Sequence, residues 1–182
     1  MYRERLEFDP GELAADEETD LHSFVFGLWS RGVLRSTLRV TPAGAPRLEM
    51  RELGVFPRHE IGAPDACEIT RFAAEGHGLR YGEAVVHGCA RWMLLNTPIT
   101  RYYAYGRPGP ADYFRRALGS VVLPGRDFGI AARGVDNYRT LTGTMADFER
   151  FTAHVRSHFA PDSLFPPSAS DGPARLAASS AG

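Results

Sequence analysis

Cys67-Glu68-Ile69-Thr70-Arg71-Phe72 is the centre of a run from Ala66 to Ala74 that reads as a β-strand, with Ile69, Thr70 and Phe72 supplying β-prone side chains. Glu75-Gly76-His77-Gly78 follows as a loop, and the hydrophobic period then changes. Val86, Ala90 and Met93, with Val85, Cys89 and Trp92 beside them, share one side of a helix from about Leu79 to Leu95. Strand, Gly-containing loop and long helix together form a unit that gathers anions, because the first N–H groups of a helix have no partner within it.

Upstream, His22 to Trp29 and Val33 to Thr41 are β-prone runs around Ser30-Arg31-Gly32 and read as a hairpin. Pro42-Ala43-Gly44-Ala45-Pro46 is a turn, Arg47 to Phe56 a strand or short helix, and residues 57 to 65 a loop. Downstream, Thr97-Pro98 stops the long helix, and Ile99 to Tyr105 reads as an aromatic strand. Gly109-Pro110 opens a helix with Ala111, Phe114 and Leu118 on one face, closed by Gly119. Val121 to Leu123, Phe128 to Ala132 and Tyr138 to Thr142 read as short strands. Thr144 caps a last helix carrying Met145, Phe148, Phe151, Val155 and Phe159. The expected organisation is one α/β (α+β) domain over residues 1 to 160, a mixed twisted sheet flanked by helices, with a disordered Pro/Ser/Ala/Gly tail at 161–182.

Composition removes whole classes of function. The 182 residues carry a net charge of −1, which leaves no electrostatic case for nucleic acid or an anionic membrane surface. No run is long enough for a membrane span and no signal-peptide core is visible, so the expected location is the cytoplasm. All 21 basic residues are Arg, which excludes Schiff-base chemistry and a catalytic Lys. Cys67 and Cys89 sit in apolar segments without metal-ligand or disulfide spacing. No resident metal is expected: His154 and His158 share a helix face, but no carboxylate motif accompanies them.

Five segments fall in one order: Tyr2-Arg3-Glu4-Arg5; Glu17-Glu18-Thr19-Asp20-Leu21-His22-Ser23; Arg35-Ser36-Thr37-Leu38-Arg39-Val40-Thr41-Pro42; Leu53-Gly54-Val55-Phe56-Pro57; and Glu68-Ile69-Thr70-Arg71-Phe72-Ala73. In this the chain resembles, over roughly residues 1 to 145, the autoinducer (acyl-homoserine-lactone) synthases and N-acyl-amino-acid synthases of the GNAT acyltransferase fold. Thr70 stands where Ser is commoner in that pattern. The resemblance implies a GNAT-type fold and an N-acyltransferase that moves an acyl group from an acyl-carrier-protein or coenzyme A thioester to a small amine, an amino acid being the expected acceptor. It implies catalytic positions at Glu68, the favoured base or substrate orienter, and Arg71. Arg39, Asp20, Glu17 and one of Arg3 or Arg5 would form a charged acceptor site, and Phe56 would line that cleft or the acyl pocket. Leu79-Arg80-Tyr81-Gly82-Glu83-Ala84 partly matches the family's phosphate loop, so Gly78, Arg80, Gly82 and Ala84 would hold the thioester arm, a co-substrate rather than a tightly bound cofactor.

Each piece also has a plainer reading. Glu68 and Arg71 could form a strand-end salt bridge, Glu17 and Asp20 solvate a turn, and Arg39 sit as a sheet-edge charge. The glycines could serve turns only, and Tyr102, Tyr103 and Tyr105 read as strand packing. Two functional alternatives stand beside the amino-acid acyltransferase: a homoserine-lactone synthase using S-adenosylmethionine, and an inactive module that binds an acyl thioester or a protein. The sequence leaves the acyl chain and the oligomeric state open.

Overall fold

The computed structural model describes residues 17–75, 80–130 and 133–157. The segment Tyr2 to Arg5, Gly78, His158, Phe159 and the expected tail lie outside the described residues. The first element, after a helical turn at residues 17–20, is the expected hairpin: β1 (Phe24–Ser30) antiparallel to β2 (Val33–Pro42). Arg31 and Gly32 both have positive φ, 51° and 73°, the backbone that joins two right-twisted strands through a two-residue turn.

The run from Arg47 to Phe56 resolves as a four-residue helix, α1 (Glu49–Glu52), and Arg58–Glu60 adds a 3-10 turn in the expected loop. The deciding strand, β3 (Ala66–Ala74), has the expected bounds. α2 (Arg80–Asn96), β4 (Arg101–Gly106), α3 (Pro108–Ala117), β5 (Val121–Val122), β6 (Phe128–Ile130), β7 (Val135–Thr144) and α4 (Met145–Phe151) follow, and the chain then tightens into a 3-10 turn at Ala153–Ser157. Thr144 caps α4 as its residue type predicts, its hydroxyl accepting from the Asp147 N–H at 3.0 Å.

The seven strands form one mixed sheet in the order β1-β2-β3-β4-β7-β5, with β6 also on β7. Among the described strands only β3 and β4 run parallel, because α2 carries the chain back across the sheet between them. Alternation along the strands divides the core in two. On the helical face Leu38, Val40, Cys67, Ile69, Tyr102 and Ala104 pack against Val86, Cys89 and Met93 of α2 and against Phe114 and Phe148. On the other face a smaller cluster gathers Leu48, Met50, Phe56, Ala66 and Tyr103 around α1. Tyr102 illustrates how closely the first face is filled. Its ring stacks on Phe148 at 4.1 Å, and a side chain at Gly143, its partner on β7, would strike it. The sequence order and the mixed sheet agree with the GNAT-type α+β fold expected above.

Candidate functional site: a slot between two parting strands

The site begins as a fault in β3. Thr37 pairs with Ala73 and Arg39 with Thr70, so Arg71 and Phe72 together face Leu38 alone. That extra residue is a β-bulge, and Arg71 takes φ 53°, a left-handed conformation that a non-glycine residue rarely adopts. The bulge shifts the strand's alternation by one residue, so Thr70 and Arg71 share the charged side and Phe72 returns to the side of Ile69. Phe72 packs edge-on to Phe114 of α3 at 5.1 Å, while Arg71 lies 3.7 Å from Glu49 of α1.

Where the bulge bends β3, the parallel ladder stops. Its last pair is Ile69 with Ala104, while Tyr105 and Gly106 continue along β7 only. A pocket of about 240 Å³ opens between the strands. Phe72, Ala111, Phe114 and Leu141 line it on the helical side, and Arg71, Tyr105, Arg133 and Tyr138 on the other. The facing backbone edges of residues 70–72 and 105–106 lie outside the β3–β4 ladder. Arg107, exposed, also lines the pocket, and its side chain makes no hydrogen bond or ion pair among the described residues.

Glu49 is the hub of the charged side. Its Oε1 accepts from the Tyr105 hydroxyl at 2.6 Å and from Arg133 Nη2 at 2.8 Å; its Oε2 lies 3.5 Å from Arg39 and 3.7 Å from Arg71. Burial alone would raise this carboxyl, but the Arg71 and Arg133 charges and the Tyr105 hydroxyl outweigh it and hold it below the ordinary value. The same surroundings act on their partners. Burial and the Glu49 charge push the Tyr105 phenol well up, so its proton is tightly held.

The residues singled out in the sequence are distributed as follows. Arg71 lines the pocket. Arg39, 2% exposed, stands behind it as a strap: Nε donates to the Thr70 hydroxyl at 3.0 Å and Nη1 to Asp20 at 3.0 Å, tying the 17–20 turn to β3. Glu17 is exposed and its side chain makes no polar contact among the described residues. Glu68, fully buried, does not reach the pocket, because both its oxygens accept backbone N–H groups of α1, from Glu49 at 2.8 Å and Met50 at 2.7 Å. Burial pushes its carboxyl up to about 7 despite those two bonds. Phe56 packs edge-on against Tyr103 in the smaller core and is not part of the lining.

At the expected phosphate loop, Arg80 is exposed at the described start of α2, and Ala84 is buried in the core. Gly82 seats a ring: a Cβ there would lie 2.8 Å from Phe72 Cζ. His154 Nε2 lies 2.9 Å from Glu83 Oε2, which joins it to α2, and among the described residues no group of three or more His, Cys, Asp or Glu is placed to hold a metal.

Glu49, Arg133, Tyr105 and Tyr138 were not legible as site residues. Glu49 sits in a segment without periodicity, and Arg133 is 84 residues from its partner in sequence. Tyr105 reads as strand packing and does pack on Phe128 and Tyr138, yet its hydroxyl also accepts from Arg133 at 2.8 Å.

Solved structures share this fold. The chain matches MesI, a CoA-dependent acyl-homoserine lactone synthase, at TM-score 0.55 and 20% identity over 76% of this chain and 71% of that one. It matches the acyl-homoserine lactone synthase LasI at 0.55 and 16%, over 68% of this chain and 64% of that one. It matches FeeM, an N-acyl amino acid synthase from uncultured soil microbes, at 0.54 and 15%, over 71% and 76%. The chain thus spans less than two-thirds of the length of LasI. No protein-family model and no curated protein sequence matches it. The likeness is one of fold.

Proposed function

We propose that this chain is an acyltransferase that moves an acyl group from a thioester to the amine of a small, carboxylate-bearing acceptor, an amino acid being the simplest. The observation that carries the reading is the slot at the Arg71 bulge, apolar on its helical side and lined by arginines on the other. A thioester arm laid between β3 and β4 takes the place of the missing ladder, and its carbonyl meets backbone edges that no strand uses. Fixed backbone N–H donors are the least costly way to stabilise the oxyanion that forms when an amine attacks. The amine nitrogen forms the new C–N bond, the C–S bond breaks, and the proton lost by the nitrogen goes to the departing thiolate.

The charged side supports an anionic acceptor. Arg71, Arg107 and Arg133 line the slot, and guanidinium groups hold a carboxylate in two-point geometry. The start of α2, close behind β3, supports the arm's phosphate at a helix N-terminus. MesI, of the same fold, is CoA-dependent, and the donor proposed for this chain is a coenzyme A or carrier-protein thioester.

The test is thiol release from acyl-CoA and acyl-carrier-protein thioesters with a panel of amino acids, with S-adenosylmethionine as a separate acceptor arm. Release that requires an amino acid supports the reading. Release with S-adenosylmethionine alone moves it to lactone synthesis. Tight thioester binding without release from the folded protein leaves a binding module.

A further inference from the structure

α1 is only four residues long, and a helix of that length leaves its first N–H groups without intrahelical partners. Its N-cap is Leu48, whose side chain makes no capping bond. Glu68 fills that vacancy from the neighbouring strand: one oxygen takes the N–H of Glu49 and the other that of Met50. The Glu49 side chain leaves the same residue toward the slot and meets Tyr105, Arg133, Arg71 and Arg39. Three of those four line the slot.

We infer that Glu68 is a positioning residue: by clamping the first turn of α1 it fixes Glu49, and Glu49 in turn sets the Arg71 and Arg133 guanidinium groups and the Tyr105 hydroxyl across the acceptor side of the slot. The two carboxylates form one chain of support from β3 to the pocket wall. Glu68 is fully buried and absent from the lining, so it acts through Glu49 and not on the substrate. Glu49 is suited to this task because a single carboxylate between cations holds them apart at a set spacing, and Oε1 alone accepts from two groups.

The kinetic consequence rests on the acyl-transfer reading; the structural one does not, and the experiment has an arm for each. In protein carrying 13C at the Glu side-chain carboxyls, Glu68→Gln shifts the titration of Glu49 upward, because Glu49 loses its fixed place among the arginines. An unchanged Glu49 titration overturns the inference whether or not the protein turns over any substrate. In the acylation assay, Glu49→Gln and Glu68→Gln each raise the acceptor KM roughly tenfold, the scale of one charge-assisted hydrogen bond, and the double variant is no worse than either. Glu68→Asp, which keeps the charge but draws it back from α1, moves KM in the same direction. If Glu68→Gln instead lowers kcat at unchanged KM and abolishes an acid limb of the pH profile near 7, Glu68 is the proton acceptor and the inference falls. Additive losses in the double variant also overturn it. A wild type that transfers no acyl group counts against the proposed function alone, and the titration arm still decides the role of Glu68.

Discussion

Glu68 Oε1 accepts the backbone N–H of Glu49 at 2.8 Å, so the carboxylate of the strand motif holds the residue whose own carboxylate organises the slot. The two acids are neighbours with opposite environments. Glu68 has backbone N–H partners and little else, so burial dominates and raises it to about 7. Glu49 is also buried, but its arginines more than offset the cost and it is held below 4.5. This contrast gives the first expectation.

Between pH about 4.5 and 7 the folded chain keeps a proton on Glu68 that the unfolded chain has lost, so this group's contribution to stability falls as pH rises through that window. The slope is at most about 1.4 kcal/mol per pH unit. Glu49 works in the other sense: its contribution is present above pH 4.5 and is lost as pH falls below that value. Urea unfolding across pH 3 to 8 should show Glu68→Gln flattening the upper window and Glu49→Gln weakening the acid-side loss. Equal effects of both variants at every pH would contradict this assignment.

Gly82→Ala brings a Cβ to 2.8 Å from Phe72 Cζ, and the Phe72 ring is also packed edge-on against Phe114. The expected loss is about 1–3 kcal/mol, as for other overpacked sites. Phe72→Leu in the same chain should recover part of it, because it removes the ring edge that collides. Additive destabilisation of the pair, measured by thermal or denaturant unfolding, would show that the contact is not the cause.

Tyr105 and Tyr138 stand ring to ring at 5.3 Å but differ at the hydroxyl. Tyr105 bonds both Glu49 and Arg133, whereas the Tyr138 hydroxyl makes no hydrogen bond among the described residues. Tyr105→Phe should cost about 1–3 kcal/mol by leaving a carboxylate and a guanidinium short of a partner. Tyr138→Phe should stay within about 0.5 kcal/mol. Indistinguishable unfolding midpoints for the two variants would refute the difference.

At Arg71 the backbone and the side chain make separable contributions. With φ at 53°, Arg71→Gly relieves a conformation that costs an L-residue roughly 1–2 kcal/mol, and Arg71→Ala does not. Glycine should therefore be the more stable replacement, while both variants weaken the acceptor's hold equally. Acceptor KM values that differ between the two would mean that the bulge, and not the guanidinium, governs binding.

The Arg107 side chain is exposed and makes no polar contact among the described residues, so Arg107→Ala should leave stability unchanged within about 0.5 kcal/mol. It should raise KM for carboxylate-bearing acceptors more than for plain amines. Equal KM changes for both acceptor classes would remove Arg107 from carboxylate recognition.

By itself the sequence determined the elements and their order. Ala66 to Ala74 reads as a strand and is one, because its β-prone residues act locally; the face of Val86, Ala90 and Met93 defines α2 for the same reason. Arg71 and the strap Arg39 were marked only through the resemblance carried by their segments, not by any local periodicity. Tertiary structure alone decided which carboxylate faces the slot. A strand's period of two says that Glu68 points away from Ile69, but not that a four-residue helix waits there with unpaired N–H groups to take it. Nor does any local pattern bring Glu49 to Arg133, 84 positions later, or part β3 from β4. The Arg71 bulge parts the strands, and a bulge exists only as a mismatch between two paired strands.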